Sequence, residues 1–261
     1  ATDDDGLSTV WNLNIVVSGD AAFTEGSIGD DELYGSIDAD QLYGKSGDDL
    51  LVGNAGDDLL LAGLGSDTVF GGSGNDRIDG SAGNDYLDGG EGDDLMAGGP
   101  GNDTYIVEQS GDVVLEVISG GAGGNDLVVT SLSMIAPTNI EALQAMDGFA
   151  INLSGNDLDN ALVGNDEVNE LSGGLGRDYL FANAGDDILD GGAGIDRLVG
   201  GLGNDTYYVD SKADSIIEFG NEGVDTVFTT SSYTLSSNVE NLTATGIENV
   251  TLGGNSLDNH I

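Results

Sequence analysis

Residues 26–106 read GSIGDDELY, GSIDADQLY, GKSGDDLLV, GNAGDDLLL, AGLGSDTVF, GGSGNDRID, GSAGNDYLD, GGEGDDLMA and GGPGNDTYI, nine nonapeptides without a gap. Position 6 is Asp in all nine: Asp31, Asp40, Asp49, Asp58, Asp67, Asp76, Asp85, Asp94 and Asp103. Position 8 is always a large apolar residue or Tyr: Leu33, Leu42, Leu51, Leu60, Val69, Ile78, Leu87, Met96 and Tyr105. Position 4 is Gly except at Asp38, and position 1 is Gly except at Ala62. Self-similarity at a short fixed period is the mark of stacked supersecondary units.

The same period returns downstream. GNDLDNALV, GNDEVNELS, GGLGRDYLF, ANAGDDILD, GGAGIDRLV and GGLGNDTYY fill 155–208. Their position 6 is Asn160, Asn169, Asp178, Asp187, Asp196 and Asp205, so the first two are degenerate opening repeats. A longer duplication lies over the short one. NDTYIVEQSGDVVLE (102–116) returns as NDTYYVDSKADSIIE (204–218), at an offset of 102. Asp126 to Asn160 returns as Asp225 to Asn259, at an offset of 99.

This divides the chain into a capping segment (1–25), block one (26–106), a β-rich connector (107–154), block two (155–208), a second connector (209–253) and the start of a further repeat (254–261). Val224-Asp-Thr-Val-Phe-Thr-Thr and Leu127-Val-Val-Thr read as strands within an irregular extension of the roll. Asp126 and Asp225 each stand at the head of such a run. Trp11 to Val17 reads as a strand closing the first coil, since a repeat stack needs covered ends. The start without Met and the stop at Ile261 inside a repeat suggest a segment of a longer protein.

Each nonapeptide has two halves. Positions 1 to 6 are rich in Gly, which tolerates positive φ and leaves carbonyl oxygens unshielded. Positions 7 to 9 suit a three-residue strand, with position 8 facing one way and its neighbours the other. The pattern Gly-Gly-x-Gly-x-Asp-x-apolar-x resembles the RTX (repeats-in-toxin, hemolysin-type) calcium-binding proteins. The resemblance implies an all-β chain folded as a parallel β-roll, or β-solenoid, with two nonapeptide-repeat blocks and β-rich connectors. Two strands and two turns then make an 18-residue coil, and turn n lies above turn n+2.

In such a roll the position-6 side chains of stacked turns approach one another. The expected pairs are Asp31/Asp49, Asp40/Asp58, Asp49/Asp67, Asp58/Asp76, Asp67/Asp85, Asp76/Asp94 and Asp85/Asp103 in block one. Block two adds Asp178/Asp196 and Asp187/Asp205, with Asn160/Asp178 and Asn169/Asp187 as weaker candidates. Ca²⁺ takes mixed carboxylate and carbonyl oxygens with flexible geometry, whereas Mg²⁺ demands a tighter octahedron and Zn²⁺ prefers His and Cys. About nine to eleven Ca²⁺ ions are expected on this geometry.

Composition sets the same requirement. The chain has 48 Asp plus Glu against 5 Lys plus Arg, a formal charge of −43, and no Cys. Such a charge repels itself on compaction unless cations neutralise it. Five bases cannot build a nucleic-acid surface or hold an anionic membrane. No apolar run of about 18 residues offers a bilayer span, and the acidic Ala1–Gly6 does not read as a signal peptide.

Catalytic motifs are weak. Ala39–Ser46 meets a relaxed phosphate-loop pattern, but in repeat frame and beside repelling acids. His260 is the only His and fits position 7 of a cut repeat. The reading is a non-enzymatic, calcium-folded segment of a larger secreted bacterial protein at the cell surface or outside the cell. The resemblance implies a type I secretion machinery as partner. The alternatives are an adhesin or polysaccharide-binding module, self-association, or the calcium-binding accessory part of an epimerase, lipase or protease.

Overall fold

A computed structural model describes residues 13–16, 23–116, 123–246 and 249–261. All the elements of these residues are β-strands, and none of them is a helix long and apolar enough to cross a membrane. They group into two compact units, one ending at Leu127 and one starting at Val128.

In the first unit, strands separated by 18 residues pair in parallel, and alternate strands build opposite sheets. One sheet contains Asn14–Val16, Glu32–Tyr34, Leu50–Ala55, Thr68–Ser73, Tyr86–Glu91 and Thr104–Val107. The other contains Phe23–Glu25, Gln41–Ser46, Leu59–Leu64, Arg77–Ala82, Leu95–Ala97 and Val113–Leu115. The register is strict: Leu42 faces Leu60 and Leu60 faces Ile78 across the ladder. This is the parallel β-roll expected from the resemblance to RTX proteins. Asn14–Val16 does pair as a strand with Glu32–Tyr34, while Trp11, Asn12 and Val17 lie outside the described residues.

Strands in the middle of the block are six residues long rather than three. The ladder does not stop at position 9. It runs on through positions 1 to 3, so Asn54 pairs with Gly72 and Ala55 with Ser73. The chain turns instead at positions 2 and 4, where φ is positive, as at Asn54 (75°) and Gly83 (147°). A Cβ at Gly83 would lie 1.6 Å from the Gly65 carbonyl oxygen. Gly83 is therefore needed for the close approach of stacked turns as well as for its φ, whereas Asp38, Leu158 and Glu167 occupy position 4 in opening repeats.

The core is one side chain deep. Leu33, Leu42, Leu51, Leu60, Val69, Leu87, Met96 and Tyr105 are fully buried, and Ile78 is nearly so. They alternate with residues that face out, as a period of two demands. Aromatics at positions 7 and 9 pair on the outer face, Phe70 with Tyr86 at 5.8 Å and Phe23 with Tyr43 at 5.0 Å. A single buried layer leaves little to repack around a hole. Leu60→Ala is expected to cost about 2–5 kcal/mol, read as a lower denaturant midpoint in Ca²⁺; a shift below about 0.5 kcal/mol would show that the layer does not carry the fold.

The second unit repeats the plan. One sheet includes Ala142–Ala145, Ala161–Val163, Tyr179–Ala184, Arg197–Leu202 and Ser215–Ile217. The other runs Met134–Ile135, Leu153–Ser154, Glu170–Ser172, Ile188–Asp190, Thr206–Val209, Thr226–Thr229 and Asn241–Ala244. Leu162, Leu171, Leu180, Leu189, Leu198 and Tyr207 line its interior. Tyr207 is wholly buried at position 8, while Tyr208 faces out and stacks on Phe228. The sequence duplication is copied in the strands. Val113–Leu115 and Ser215–Ile217 differ by 102, and Met134–Ile135 and Tyr233–Thr234 by 99. His260 bridges Asn241 in parallel, as position 7 of a further turn would.

Candidate metal centre

Burial of acids is the dominant feature of the turns. All nine position-6 Asp side chains of block one are buried, as are Asn160, Asn169, Asp178, Asp187, Asp196 and Asp205. Each is tied to the turn two repeats away. The Asp31 N–H donates to Asp49 Oδ1 at 2.8 Å, Asp40 to Asp58 at 2.6 Å, Asp49 to Asp67 at 2.7 Å and Asp58 to Asp76 at 2.8 Å. Asp67 donates to Asp85 at 2.9 Å, Asp76 to Asp94 at 2.8 Å and Asp85 to Asp103 at 2.8 Å. In block two, Asn160 donates to Asp178, Asn169 to Asp187, Asp178 to Asp196 and Asp187 to Asp205, at 2.7 to 2.9 Å. Every paired position is thus brought together, through a backbone amide and a carboxylate.

A second ladder runs in the opposite sense at position 5. The Ser66 N–H donates to Asp48 Oδ1 at 2.8 Å, and Asn75 N–H to Asp57 Oδ1 at 2.8 Å. Together the two ladders stitch successive turns without any basic side chain. Lys45 forms an exposed pair with Glu25 at 3.3 Å, a kind that contributes little.

One oxygen of each position-6 acid is thereby used. The other, Oδ2, is buried with no hydrogen-bond partner at Asp49, Asp58, Asp67, Asp76, Asp85, Asp94 and Asp103, and at Asp178, Asp187, Asp196 and Asp205. It faces position 1 of its own repeat. A Cβ built on Gly53 would lie 2.2 Å from Asp58 Oδ2 and 2.5 Å from the Gly71 carbonyl oxygen of the stacked turn. Carboxylate and carbonyl oxygens of neighbouring turns converge there in a space kept open by the missing side chain. Orphaned buried carboxylate oxygens are costly. A hard cation with mixed oxygen ligands fits them.

Burial raises the pKa of these acids, stacked-turn N–H groups lower it in part, and neighbouring carboxylates raise it again. Asp49, Asp58, Asp67 and Asp85 are pushed up to about 6, and Asp76 and Asp103 to about 7. Asp178, Asp187 and Asp196 reach about 6 and Asp205 about 7.

The ends of the row differ. Asp31 Oδ2 accepts the Ser27 N–H, and Asp40 Oδ2 the Ser36 N–H, both at 2.5 Å. Asn160 Oδ1 accepts the Asn156 N–H at 2.7 Å, and its Nδ2 donates to the Ile140 carbonyl at 3.0 Å. Asn169 Oδ1 accepts the Asn165 N–H at 2.7 Å, and its Nδ2 donates to the Ile151 carbonyl at 2.8 Å. In these opening turns an amide hydrogen points at carbonyl oxygens of the preceding turn.

Profiles of the RTX calcium-binding nonapeptide repeat (four copies) match residues 25–51, 34–69, 43–78, 70–105, 154–189, 163–198 and 181–216, more than half of the chain. The chain belongs to the RTX calcium-binding repeat family. No curated protein sequence matches it. Both RTX blocks of the roll coincide with the matched spans, so Ca²⁺ is the cation that the orphaned oxygens serve.

The RTX ladder also recruits residues outside the nonapeptides. Asp94 N–H donates to Asp112 Oδ1 at 3.2 Å, and Asp103 N–H to Asp126 Oδ1 at 2.9 Å. Asp196 N–H donates to Asp214 Oδ1 at 3.2 Å, Asp205 N–H to Asp225 Oδ1 at 2.9 Å, and Asp225 N–H to Glu240 Oε2 at 2.9 Å. The strict period hides them. Asp112 and Asp214 keep the spacing of 18 without the glycines, whereas Asp126 and Asp225 follow insertions, at spacings of 23 and 20. The duplication of 102–116 in 204–218 is the signal that marks Asp112 and Asp214, and Asp126 and Asp225 open the second duplicated stretch, 126–160 in 225–259.

Proposed function

We propose that this chain is a non-catalytic, calcium-folded segment of a larger secreted bacterial protein, exported by a type I route and folded outside the cell. The observation that carries the reading is the row of buried Oδ2 atoms without partners. Such a row is penalised where divalent cations are scarce and stabilised where they are abundant. A cytosol poor in Ca²⁺ then leaves a threadable chain, and a millimolar exterior drives folding. A non-catalytic role is supported by the use of the buried acids: they are committed to the turn ladder.

Limited proteolysis in calcium buffers tests this. At about micromolar free Ca²⁺ the chain is expected to be cut throughout, and at about millimolar Ca²⁺ to resist from block one through block two. Equal resistance at both levels would remove the link between folding and export.

A further inference from the structure

Two places in the roll break its rules in the same way. Position 8 carries a purely aliphatic or Met side chain in every repeat except the last of each block, where it is Tyr105 or Tyr207. Position 1 is Gly or Ala within the blocks. At the turn stacked on each of those last repeats it is Glu116 or Glu218, 11 residues after the Tyr in both cases. The Tyr105 hydroxyl accepts the Gly98 N–H at 2.6 Å and donates to Glu116 Oε1, and the Tyr207 hydroxyl donates to Glu218 Oε1.

A long acidic side chain therefore enters the interior at the level where the other turns leave a gap. It meets the position-6 acids of its own and the preceding stacked turn. Asp103, Glu116 and Asp126 each place a carboxylate oxygen within 4.8 Å of the others, and so do Asp205, Glu218 and Asp225. All six side chains are at most 7% exposed. Glu218 Oε2, Asp205 Oδ2 and Asp103 Oδ2 are buried with no hydrogen-bond partner. The charges acting on Glu218 come from Asp225, Asp205 and Glu222, all carboxylates.

We infer that each block closes on a three-carboxylate cation site, Asp103–Glu116–Asp126 in one unit and Asp205–Glu218–Asp225 in the other, separate in kind from the sites of the glycine turns. The donor set is all oxygen, so the ligand is a hard divalent cation, Ca²⁺ under the conditions that fold the roll. Three full charges on one ion make it a tighter site than a turn built from a carboxylate and carbonyls. Glu116 and Glu218 belong to the connectors, so the ion fastens each connector to the last turn of its block. The tyrosines are positioning residues: a hydroxyl donating to one carboxylate oxygen orients the other. This inference rests on the calcium reading of the blocks only for the choice of cation.

Calcium titration of the full chain by calorimetry, with bound ions counted by equilibrium dialysis, tests it. The Glu116→Gln/Glu218→Gln chain is expected to hold about two fewer ions, one per cluster, and to lose the tightest class of binding. The Tyr105→Phe/Tyr207→Phe chain is expected to keep the count while that class weakens about tenfold. If the Gln chain folds in Ca²⁺ and keeps its full count, the clusters hold protons and the proposal is overturned. If the Gln chain does not fold, the Phe chain decides, and unchanged affinities at every site overturn it. Two tightly held ions in a wild-type chain that gains no β signal on calcium addition would uphold the clusters and sink the folding reading instead.

Discussion

Stripping divalent cations from the folded chain near neutral pH is expected to abolish most of its β-sheet circular dichroism, in one cooperative step reversed by Ca²⁺. The size of the effect follows from linkage. A site with a Kd of about 0.1 mM in millimolar Ca²⁺ contributes about 1.4 kcal/mol. On the order of ten such sites contribute on the order of 14 kcal/mol, comparable with the whole stability of a domain. Removing them leaves buried carboxylates at Asp49 to Asp103 and Asp178 to Asp205 with one unpartnered oxygen each. The position-8 layer, a single side chain deep, offsets little of that. Mg²⁺ is not expected to restore the signal, because it gives up water reluctantly and demands a smaller octahedron. A chelated chain that keeps its β spectrum would show that burial alone holds the roll.

Acid is expected to substitute in part for calcium. In the folded chain without metal, Asp76, Asp103 and Asp205 keep their protons up to about 7, and Asp49, Asp58, Asp67 and Asp85 up to about 6. Glu218 keeps its proton up to about 8. In the unfolded chain the same groups ionise near about 4. The folded state therefore binds more protons between about pH 4 and about pH 7, and stability falls as pH rises through that window. The associated stabilisation is fully present below the unfolded pKa and is lost above the folded one. Lowering the pH of a chelated sample from about 8 to about 5 should recover β structure. Calcium affinity should weaken over the same range, with protons released on binding. A chelated chain that stays coil at about pH 5, or a calcium midpoint that does not move with pH, would contradict the raised pKa of these acids.

Much of this was legible in the residues themselves. A period of nine with Asp at position 6 and an apolar residue at position 8 marks which side chains are buried, and the resemblance to RTX proteins adds which turns stack. Neither depends on distant parts of the chain, so Leu60 and Asp76 could be placed from the pattern alone. The six-residue strands were less legible. They arise because positive φ at position 2, as at Asn54, turns the chain while keeping its amides in the ladder. Asp112 and Asp214 were hidden for a different reason: without the surrounding glycines, nothing local distinguishes them from ordinary surface acids.

By itself the sequence determined the repeat class, the buried layer and the need for cations, because each is a local property summed over many copies, and the resemblance those repeats carry added the parallel stacking at 18 residues. The tertiary structure alone decided how the carboxylate oxygens are used: Oδ1 to the amide of the stacked turn, Oδ2 to the gap beside position 1. It alone brought Glu116 and Glu218 onto Asp103 and Asp205 across 13 residues, past an interrupted period. Stacking converts separation along the chain into contact through a register that insertions reset, and that register exists only once the coils have formed.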